Sequence, residues 1–149
     1  MCAGVELSGE GKNNRIYFPV PNAVLPVLKR DGGEVMLTWG ARGREYAAGN
    51  SRVKWPEGGW ARLESIQSGR WDVFDPLPVK IPAKGFMEKD ADGKSHWFKL
   101  EPGQFIQGLI AHAGEERRIY VVTVSPPPEH AHIHDRWPRI VGAPGRDAA

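Results

Sequence analysis

Cysteine is almost absent from this 149-residue chain, which contains only Cys2. A single cysteine excludes an internal disulfide and a cysteine-rich zinc knot. The sequence also lacks an apolar run near the roughly 20 residues of a membrane span, and residues 1–10 lack the basic start and apolar core of a signal peptide. We therefore expect a cytoplasmic protein with no membrane partner.

Helical periodicity is scarce as well, and the chain has neither a phosphate-cradling glycine motif nor a Gly-x-Ser-x-Gly motif. Short apolar runs instead alternate with turn signals, many of them supplied by 18 Gly and 13 Pro. A chain of this length fits one domain, residues 1–149, with a tail at 142–149 that is expected to fray. The predicted fold class is α+β and mainly β.

The apolar runs predict eight strands or extended segments. These are residues 15–20, 23–30, 34–39, 77–82, 86–89, 95–100, 105–111 and 118–124. Pro26 should place its strand at an edge or a bulge, because proline cannot donate to a ladder. Residues 31–33, Asp-Gly-Gly, predict a hairpin turn. Residues 42–59 are predicted to be a loop and 60–68 to hold a short helix.

Basic residues outnumber acidic residues six to three between Lys29 and Lys54, and Trp39, Tyr46 and Trp55 are interleaved with this stretch. Such a pattern suits a nucleic-acid single strand, since phosphates attract cations and splayed bases stack on flat rings. An ordinary solvated surface has the same composition. Both interpretations stay open, and the net charge of +2 permits a nucleic-acid partner without requiring one.

Cys2 would carry a free α-amine beside its thiol once Met1 is removed. The ordinary pKa is about 8 for the amine and about 8.5 for the thiol, so both groups lose their protons near neutral pH with only modest activation. An aldehyde that meets such an aminothiol forms an imine at nitrogen and then closes a thiazolidine through sulfur. The alternative is that one cysteine lies near the start by chance.

Two other stretches could carry chemistry. Glu88 follows a turn at residues 82–85, and partial burial there would raise its pKa into the range that suits an acid or a base. His130, His132 and His134 would share one face of an extended segment, which is how a strand presents metal ligands. A metal site, one catalytic histidine, and surface or packing roles remain alternatives.

Five short motifs follow the opening Met1-Cys2-Ala3-Gly4. They are Pro21-Asn22-Ala23-Val24, Leu37-Thr38-Trp39-Gly40, Trp60-Ala61-Arg62-Leu63-Glu64, Pro82-Ala83-Lys84-Gly85-Phe86-Met87-Glu88-Lys89 and Ile133-His134-Asp135-Arg136-Trp137-Pro138. With Cys2, their order resembles the SOS response-associated peptidase family of abasic-site processing proteins. The chain departs from that pattern at Gly4, Trp60 and Trp137, where the family has arginine, asparagine and methionine.

The resemblance implies a barrel-like fold of curved antiparallel sheets with a basic groove and few short helices. It also implies that Cys2 is the nucleophile, freed by autocatalytic removal of Met1, and that it captures abasic sites in single-stranded DNA as a thiazolidine. Glu88 would shuttle protons, and His134 would assist opening of the sugar ring. The activities implied are those of an autopeptidase and of a DNA–protein crosslinking enzyme or lyase in DNA repair.

The resemblance further assigns DNA contacts. Arg62 and Arg136 would hold phosphates, and Trp39 would stack on or wedge beside a base. Trp60 would either point away from the site or stack on a flanking base. We expect a monomer without metal or cofactor, associated with the nucleoid when bound to DNA.

Two alternative functions remain. One is a single-stranded DNA-binding protein that kept the groove and lost the chemistry. The other is a metal-dependent small β-barrel enzyme that uses His130, His132 and His134.

Overall fold

The computed structural model describes residues 2–7 and 14–142, without the side chains of residues 50 and 51. Strand makes up 50% and helix 8% of the structure, which confirms the predicted α+β, mainly β class with few short helices. No helix among the described residues has the length and apolar character needed to cross a membrane. The predicted removal of Met1 falls outside the described residues, and so does the predicted frayed tail at 142–149 apart from Gly142.

The strands are short and follow one another closely along the chain. They are β1 (Cys2–Glu6), β2 (Arg15–Tyr17), β3 (Val24–Leu28), β4 (Glu34–Trp39), β5 (Tyr46–Ala47), β6 (Asn50–Lys54), β7 (Trp60–Arg62), β8 (Leu77–Ile81), β9 (Gly85–Lys89), β10 (Ser95–Lys99), β11 (Phe105–Ala113), β12 (Glu116–Val124), β13 (Trp137–Pro138) and β14 (Ile140–Val141). Helical turns are limited to α1 (Leu63–Gln67) and two 3-10 turns, Asp72–Phe74 and Pro128–His130.

Five strands close a barrel in the order β12, β4, β3, β8 and β11, with β11 pairing back to β12. The predicted antiparallel pairing holds between β12 and both β11 and β13, but β12 runs parallel to β4 and β7. Parallel pairing needs a long connection, and the chain between β7 and β12 supplies one. The barrel-like architecture itself is confirmed.

Strands β11 and β12 are buried on both faces, which explains their nearly continuous apolar sequence. Ile119 and Val121 point into a core cluster inside the barrel, whereas Tyr120 and Val122 join a second cluster outside it. Gly108 faces the interior, where a Cβ atom would lie 2.8 Å from Ile119 Cδ1. The glycine therefore makes room for larger side chains that fill the barrel.

A second, four-stranded sheet in the order β10, β9, β1 and β2 packs against the barrel. Its Val5 and Phe86 belong to the same core cluster as Leu25 and Ile81 of the barrel. Strand β1 is central in this sheet, between β9 and β2, so Cys2 begins a strand that is paired on both sides. Cys2 itself pairs with Glu88 on β9 and belongs to the core cluster shared with the barrel.

Several predicted elements agree with the structure and others do not. Strand β4 and the turn after Lys29 match, and Gly32 adopts φ 88° in that turn. Pro26 was predicted to place its strand at an edge or a bulge, but β3 lies between β4 and β8 in the barrel and pairs with β4 in unbroken register. It meets β8 at only one residue pair. The predicted loop at 42–59 is wrong, because it contains the β5–β6 hairpin with Gly49 at φ 77°.

The predicted helix at 60–68 is only partly correct. Residues 60–62 form β7 and pair in parallel with Val121, Val122 and Thr123, leaving residues 63–67 for α1. Strand β2 also ends at Tyr17, earlier than predicted, because a turn follows in which Val20 N donates to Tyr17 O at 3.1 Å. Tertiary pairing overrode local propensity in the first case and a tight turn ended the strand in the second.

Candidate active site

Cys2 and Glu88 are direct ladder partners on the antiparallel strands β1 and β9. Residues opposite each other in such a ladder have Cβ atoms about 4.5–5.5 Å apart. Both are fully buried, each at 0% exposure. The only cysteine of the chain and the carboxylate singled out from the sequence are therefore brought together by the fold.

A bulge interrupts the β1–β9 ladder directly after this pair, because the register shifts between Cys2 and Gly4. Ala3 is the extra residue, and its carbonyl accepts the amide of Phe18 at 3.1 Å. The Cys2 thiol donates to the Gly4 carbonyl, with Sγ 3.4 Å from the oxygen. A bulge re-aims the side chains beside it, and here it sets the direction of the Cys2 side chain.

Burial dominates the electrostatics of the pair. Loss of solvent raises the pKa of Glu88 to about 7. Burial, followed by the negative charge of Glu88, raises the pKa of the Cys2 thiol well above its ordinary value. At neutral pH the carboxyl is thus divided between its two protonation states while the thiol is protonated, and loss of the Glu88 charge favours the Cys2 thiolate.

His134 lies half-buried in the segment after the Pro128–His130 turn. The Arg136 amide donates to its Nδ1 at 3.1 Å, and the Asp135 carboxylate lies 3.0 Å from the same nitrogen. Burial lowers the pKa of His134. In the neutral ring, Nδ1 accepts the hydrogen bond from the Arg136 amide. If Nδ1 binds a proton, the Asp135 carboxylate stabilises that proton instead.

These elements meet at a cleft of about 480 Å³. It is lined by Ala3, Trp60, Lys89, Asp90, Ala91, Ile133 and His134. Ala3 adjoins Cys2 and Lys89 adjoins Glu88, so the cleft opens beside the buried pair and His134 stands in its wall. All three residues predicted to be catalytic are accordingly in or next to one cleft.

Trp60 does not point away from the site, because it lines the cleft, and its stacking on a flanking base stays a prediction. Its indole Nε1 donates to the Cys2 carbonyl oxygen at 2.6 Å, and its ring packs on Phe18 with centroids 4.8 Å apart. The indole thus supplies a hydrogen-bond donor to the backbone of the cysteine. Sequence reasoning missed this role because β7 and β1 are 58 residues apart in sequence.

Trp39 was predicted to stack on or wedge beside a base, but its side chain is fully buried at 0% exposure. Its Nε1 donates to the Gly59 carbonyl at 2.9 Å, and Phe18 packs edge-on against it. A Cβ atom on Gly59 would lie 2.6 Å from the same indole nitrogen. Trp39 therefore supports the wall that carries Trp60 and does not face solvent.

The two predicted phosphate contacts differ in the structure. Arg62 is exposed on β7 beside a surface hollow that also includes Ser65, Ser68 and Arg70, so it is accessible to a ligand. Arg136 is 7% exposed and makes a two-pronged ion pair with Glu64, at 3.0 and 3.1 Å. The Arg136 guanidinium is therefore bound inside the protein, and its contact with a phosphate stays a prediction.

The guanidinium of Arg136 also donates to the carbonyl of Thr123 at 2.6 Å. It thereby ties the His134 segment to β12 and to α1. The residue positions the segment that carries His134.

The three neighbouring histidines do not share a strand face. His130 ends a 3-10 turn and stacks on Trp137, with centroids 5.1 Å apart and ring planes 3° apart. His132 is exposed and His134 lies in the cleft wall. Within residues 2–7 and 14–142, no group of three or more His, Cys, Asp or Glu side chains is arranged to hold a metal ion.

The basic and aromatic stretch at 29–54 does not form an aromatic surface. Trp39 and Trp55 are both fully buried, and Trp55 Nε1 donates to Glu116 at 2.6 Å. Tyr46 alone of the three rings is exposed, at 50%. Two of the three aromatic residues in this stretch, Trp39 and Trp55, are therefore core residues and do not contribute to a binding surface.

Sequence reasoning also missed the Asp90–His96 pair at the edge of the cleft. His96 is the ladder partner of Glu88 on β10, and its Nε2 lies 2.8 Å from the Asp90 carboxylate. Asp90 was assigned only to a turn, in which it accepts the amides of Asp92 and Lys94. The spacing of Asp90 and His96 across a predicted hairpin was the sequence feature that could have indicated this pair.

The fold thus places a buried thiol and a buried carboxyl opposite each other, with a histidine in the wall of the adjoining cleft. Searches against protein-family models and against curated proteins find no match to this chain.

Proposed function

We propose that the protein captures abasic sites in single-stranded DNA covalently through Cys2, after removal of Met1, as members of the SOS response-associated peptidase family do. The observation that carries the proposal is the ladder pairing of Cys2 with buried Glu88, beside a cleft whose wall contains His134. The motif order in the sequence supports the same conclusion.

Removal of Met1 is hydrolysis of the Met1–Cys2 peptide bond, which consumes one water and leaves the Cys2 amine free. That amine adds to the C1′ aldehyde of the ring-opened abasic sugar to give a carbinolamine. Loss of water gives an imine, to which the Cys2 sulfur adds while its proton passes to nitrogen. The product is a thiazolidine, and the capture releases one water.

Glu88 suits the proton transfers in this sequence because its pKa is raised to about 7. The protonated carboxyl can donate to the hydroxyl that leaves the carbinolamine, and the carboxylate can accept the thiol proton. Its neutral form also removes the negative charge that opposes ionisation of Cys2. One residue can therefore serve both steps near neutral pH.

His134 would assist ring opening of the abasic sugar, which requires proton removal from the anomeric hydroxyl and proton delivery to the ring oxygen. Burial lowers its pKa, so the neutral ring that can accept a proton predominates at neutral pH. Asp135 stands 3.0 Å from Nδ1, where it would stabilise the protonated ring. Exposed Arg62 would contact a phosphate near the lesion.

The test is a denaturing gel of the protein incubated with an oligonucleotide that carries one abasic site. We expect an adduct that resists denaturation, that is absent in Cys2→Ala, and that forms about 10²-fold more slowly in Glu88→Gln, as for loss of an acid–base residue. Glu115→Gln, at an exposed turn outside the cleft, is the matched control and should react like the parent protein. Crosslinking that persists in Cys2→Ala would refute the assignment.

A second candidate function is noncovalent binding of single-stranded DNA. The observation that favours it is the complete burial of the Cys2 thiol with its raised pKa. In this case a preparation shown to begin at Cys2 forms no adduct at any time but retains affinity for the strand.

A further inference from the structure

The outer face of the four-stranded sheet carries a cluster of exposed aromatic and basic side chains. Strand alternation directs Phe98, Phe86, Val5 and Ile16 into the core, so their neighbours in sequence point outward. One outward row runs Trp97, Met87, Gly4 and Tyr17, and the next runs Lys99, Gly85, Glu6 and Arg15.

Burial confirms that this face has its own small apolar layer. Met87 is 3% exposed but belongs to neither hydrophobic core cluster. It lies between its ladder partners Trp97 and Gly4, and a Cβ atom on Gly4 would lie 3.2 Å from the Tyr17 ring. The Tyr17 ring therefore lies over the glycine.

Arg15, Tyr17 and Trp97 form what we call the sheet-face platform. The Arg15 guanidinium lies 3.9 Å above the Trp97 ring centre, and Tyr17 meets the same ring edge-on with centroids 6.2 Å apart. Glu6 holds Arg15 from the side at 3.4 Å. A planar guanidinium stacked on tryptophan has a second flat face, and 47% of the Arg15 side chain is exposed to use it.

The platform adjoins the cleft. Lys89 lines the cleft and lies two residues along β9 from Met87, on the same outward face, which is about 7 Å in a strand. Ala3, also in the cleft lining, directly precedes Gly4. The outward side chains named here include three cations, Arg15, Lys89 and Lys99, against the single acid Glu6.

We propose that the sheet-face platform binds the bases of single-stranded DNA next to the nucleotide held in the cleft, which rests on the proposed function for the identity of the ligand. Tyr17 stacks on one base and Arg15 on another, and Lys89 and Lys99 face the phosphates. Flat rings and guanidinium planes accept any base by stacking, and cations follow the backbone. Binding is accordingly independent of sequence and requires no lesion.

The test measures fluorescence anisotropy of a labelled, undamaged single-stranded oligonucleotide with the Cys2→Ala protein, in which no covalent step intervenes. Stacking of one base on an aromatic side chain corresponds to roughly a 5- to 150-fold change in Kd. Tyr17 is only 36% exposed, so Tyr17→Ala should raise Kd about fivefold or more. Tyr17→Phe should bind like the parent, because the ring remains.

Tyr46→Ala is the matched control, since Tyr46 is the other exposed aromatic ring among the described residues and lies on the β5–β6 hairpin. It should leave Kd unchanged. Tyr17→Leu keeps apolar cover over Gly4 but removes the aromatic face, and it should lose affinity as Tyr17→Ala does even if the alanine variant folds poorly.

Arg15→Lys separates stacking from charge. It keeps the cation but removes the plane, so Kd should rise several-fold while the dependence of log Kd on log salt keeps its slope. Arg44→Lys, at an exposed position on another part of the surface, should change neither quantity.

The outcomes separate this proposal from covalent capture. If Tyr17→Leu and Arg15→Lys bind the undamaged strand like their controls, the platform proposal is wrong, whether or not abasic DNA is crosslinked. This result is expected if the sheet-face platform binds a protein instead of DNA. If they weaken binding but the parent protein never forms an adduct, the platform stands and the capture proposal is the one that fails.

Discussion

Replacing Glu88 by glutamine should remove a large pH dependence from the stability of the protein. The side chain is fully buried, and burial raises its pKa from the ordinary 4.5 to about 7. The folded protein therefore holds this proton over a pH range in which the unfolded chain has released it. Unfolding releases the proton, so raising the pH through this range favours the unfolded chain.

The size of the effect follows from the two pKa values. Each pKa unit corresponds to about 1.36 kcal/mol. The contribution of neutral Glu88 to the free energy of unfolding is complete below about pH 4.5 and is lost by about pH 7, a change of roughly 3 kcal/mol. Glutamine has nearly the same shape and no charge, so the variant should gain that amount relative to the parent as the pH rises.

The assay is urea denaturation of the parent protein and of Glu88→Gln between pH 4 and pH 8. The difference in free energy of unfolding, variant minus parent, should rise by roughly 3 kcal/mol across the range and stay level above about pH 7. Exposed Glu115→Gln, measured in parallel, should show no such rise. A difference that stays constant with pH would mean that Glu88 keeps an ordinary pKa, and the acid–base role would lose its basis.

Four further substitutions test individual contacts. Trp60→Phe keeps the ring packing but removes the donor to the Cys2 carbonyl, so the free energy of unfolding should fall by about 1 kcal/mol in urea denaturation; an unchanged value would contradict the bond. Gly59→Ala places a Cβ 2.6 Å from Trp39 Nε1 and should lower the free energy of unfolding by about 1–3 kcal/mol in the same assay. An unchanged free energy of unfolding would mean that Trp39 can shift to make room for the methyl group. Arg136→Gln should lower thermal stability but leave unchanged the slope of log Kd against log salt for single-strand binding. Arg62→Gln should reduce that slope by about 1. A reduced slope for Arg136→Gln would support its predicted phosphate contact.

The sequence was sufficient for elements whose signals are local. The turn after Lys29 has residues suited to positive φ, and strand β4 has an alternating apolar pattern. Strand β4 was therefore predicted with correct bounds and the turn within one residue. Strand β7 was mistaken for helix because its partner is β12, and pairing between distant segments leaves no local signal. The parallel pairing of β12 with β4 was missed for the same reason.

The candidate site shows the same division. Cys2, Glu88 and His134 were chosen for their chemistry and motif positions, and the fold brings them to one cleft. Trp39 and Arg136 were given DNA contacts, but both are buried, and side-chain burial in a barrel wall cannot be read from composition. Arg15 and Trp97 were not selected at all, because they are far apart in sequence and meet only across the four-stranded sheet.

The most direct test of covalent capture at Cys2 is the intact mass of the adduct formed with an oligonucleotide that carries one abasic site. The expected mass is that of the chain beginning at Cys2 plus the oligonucleotide, less one water, with the modification located at Cys2 by fragmentation. An adduct whose mass includes Met1, or one located at any residue other than Cys2, would contradict the account.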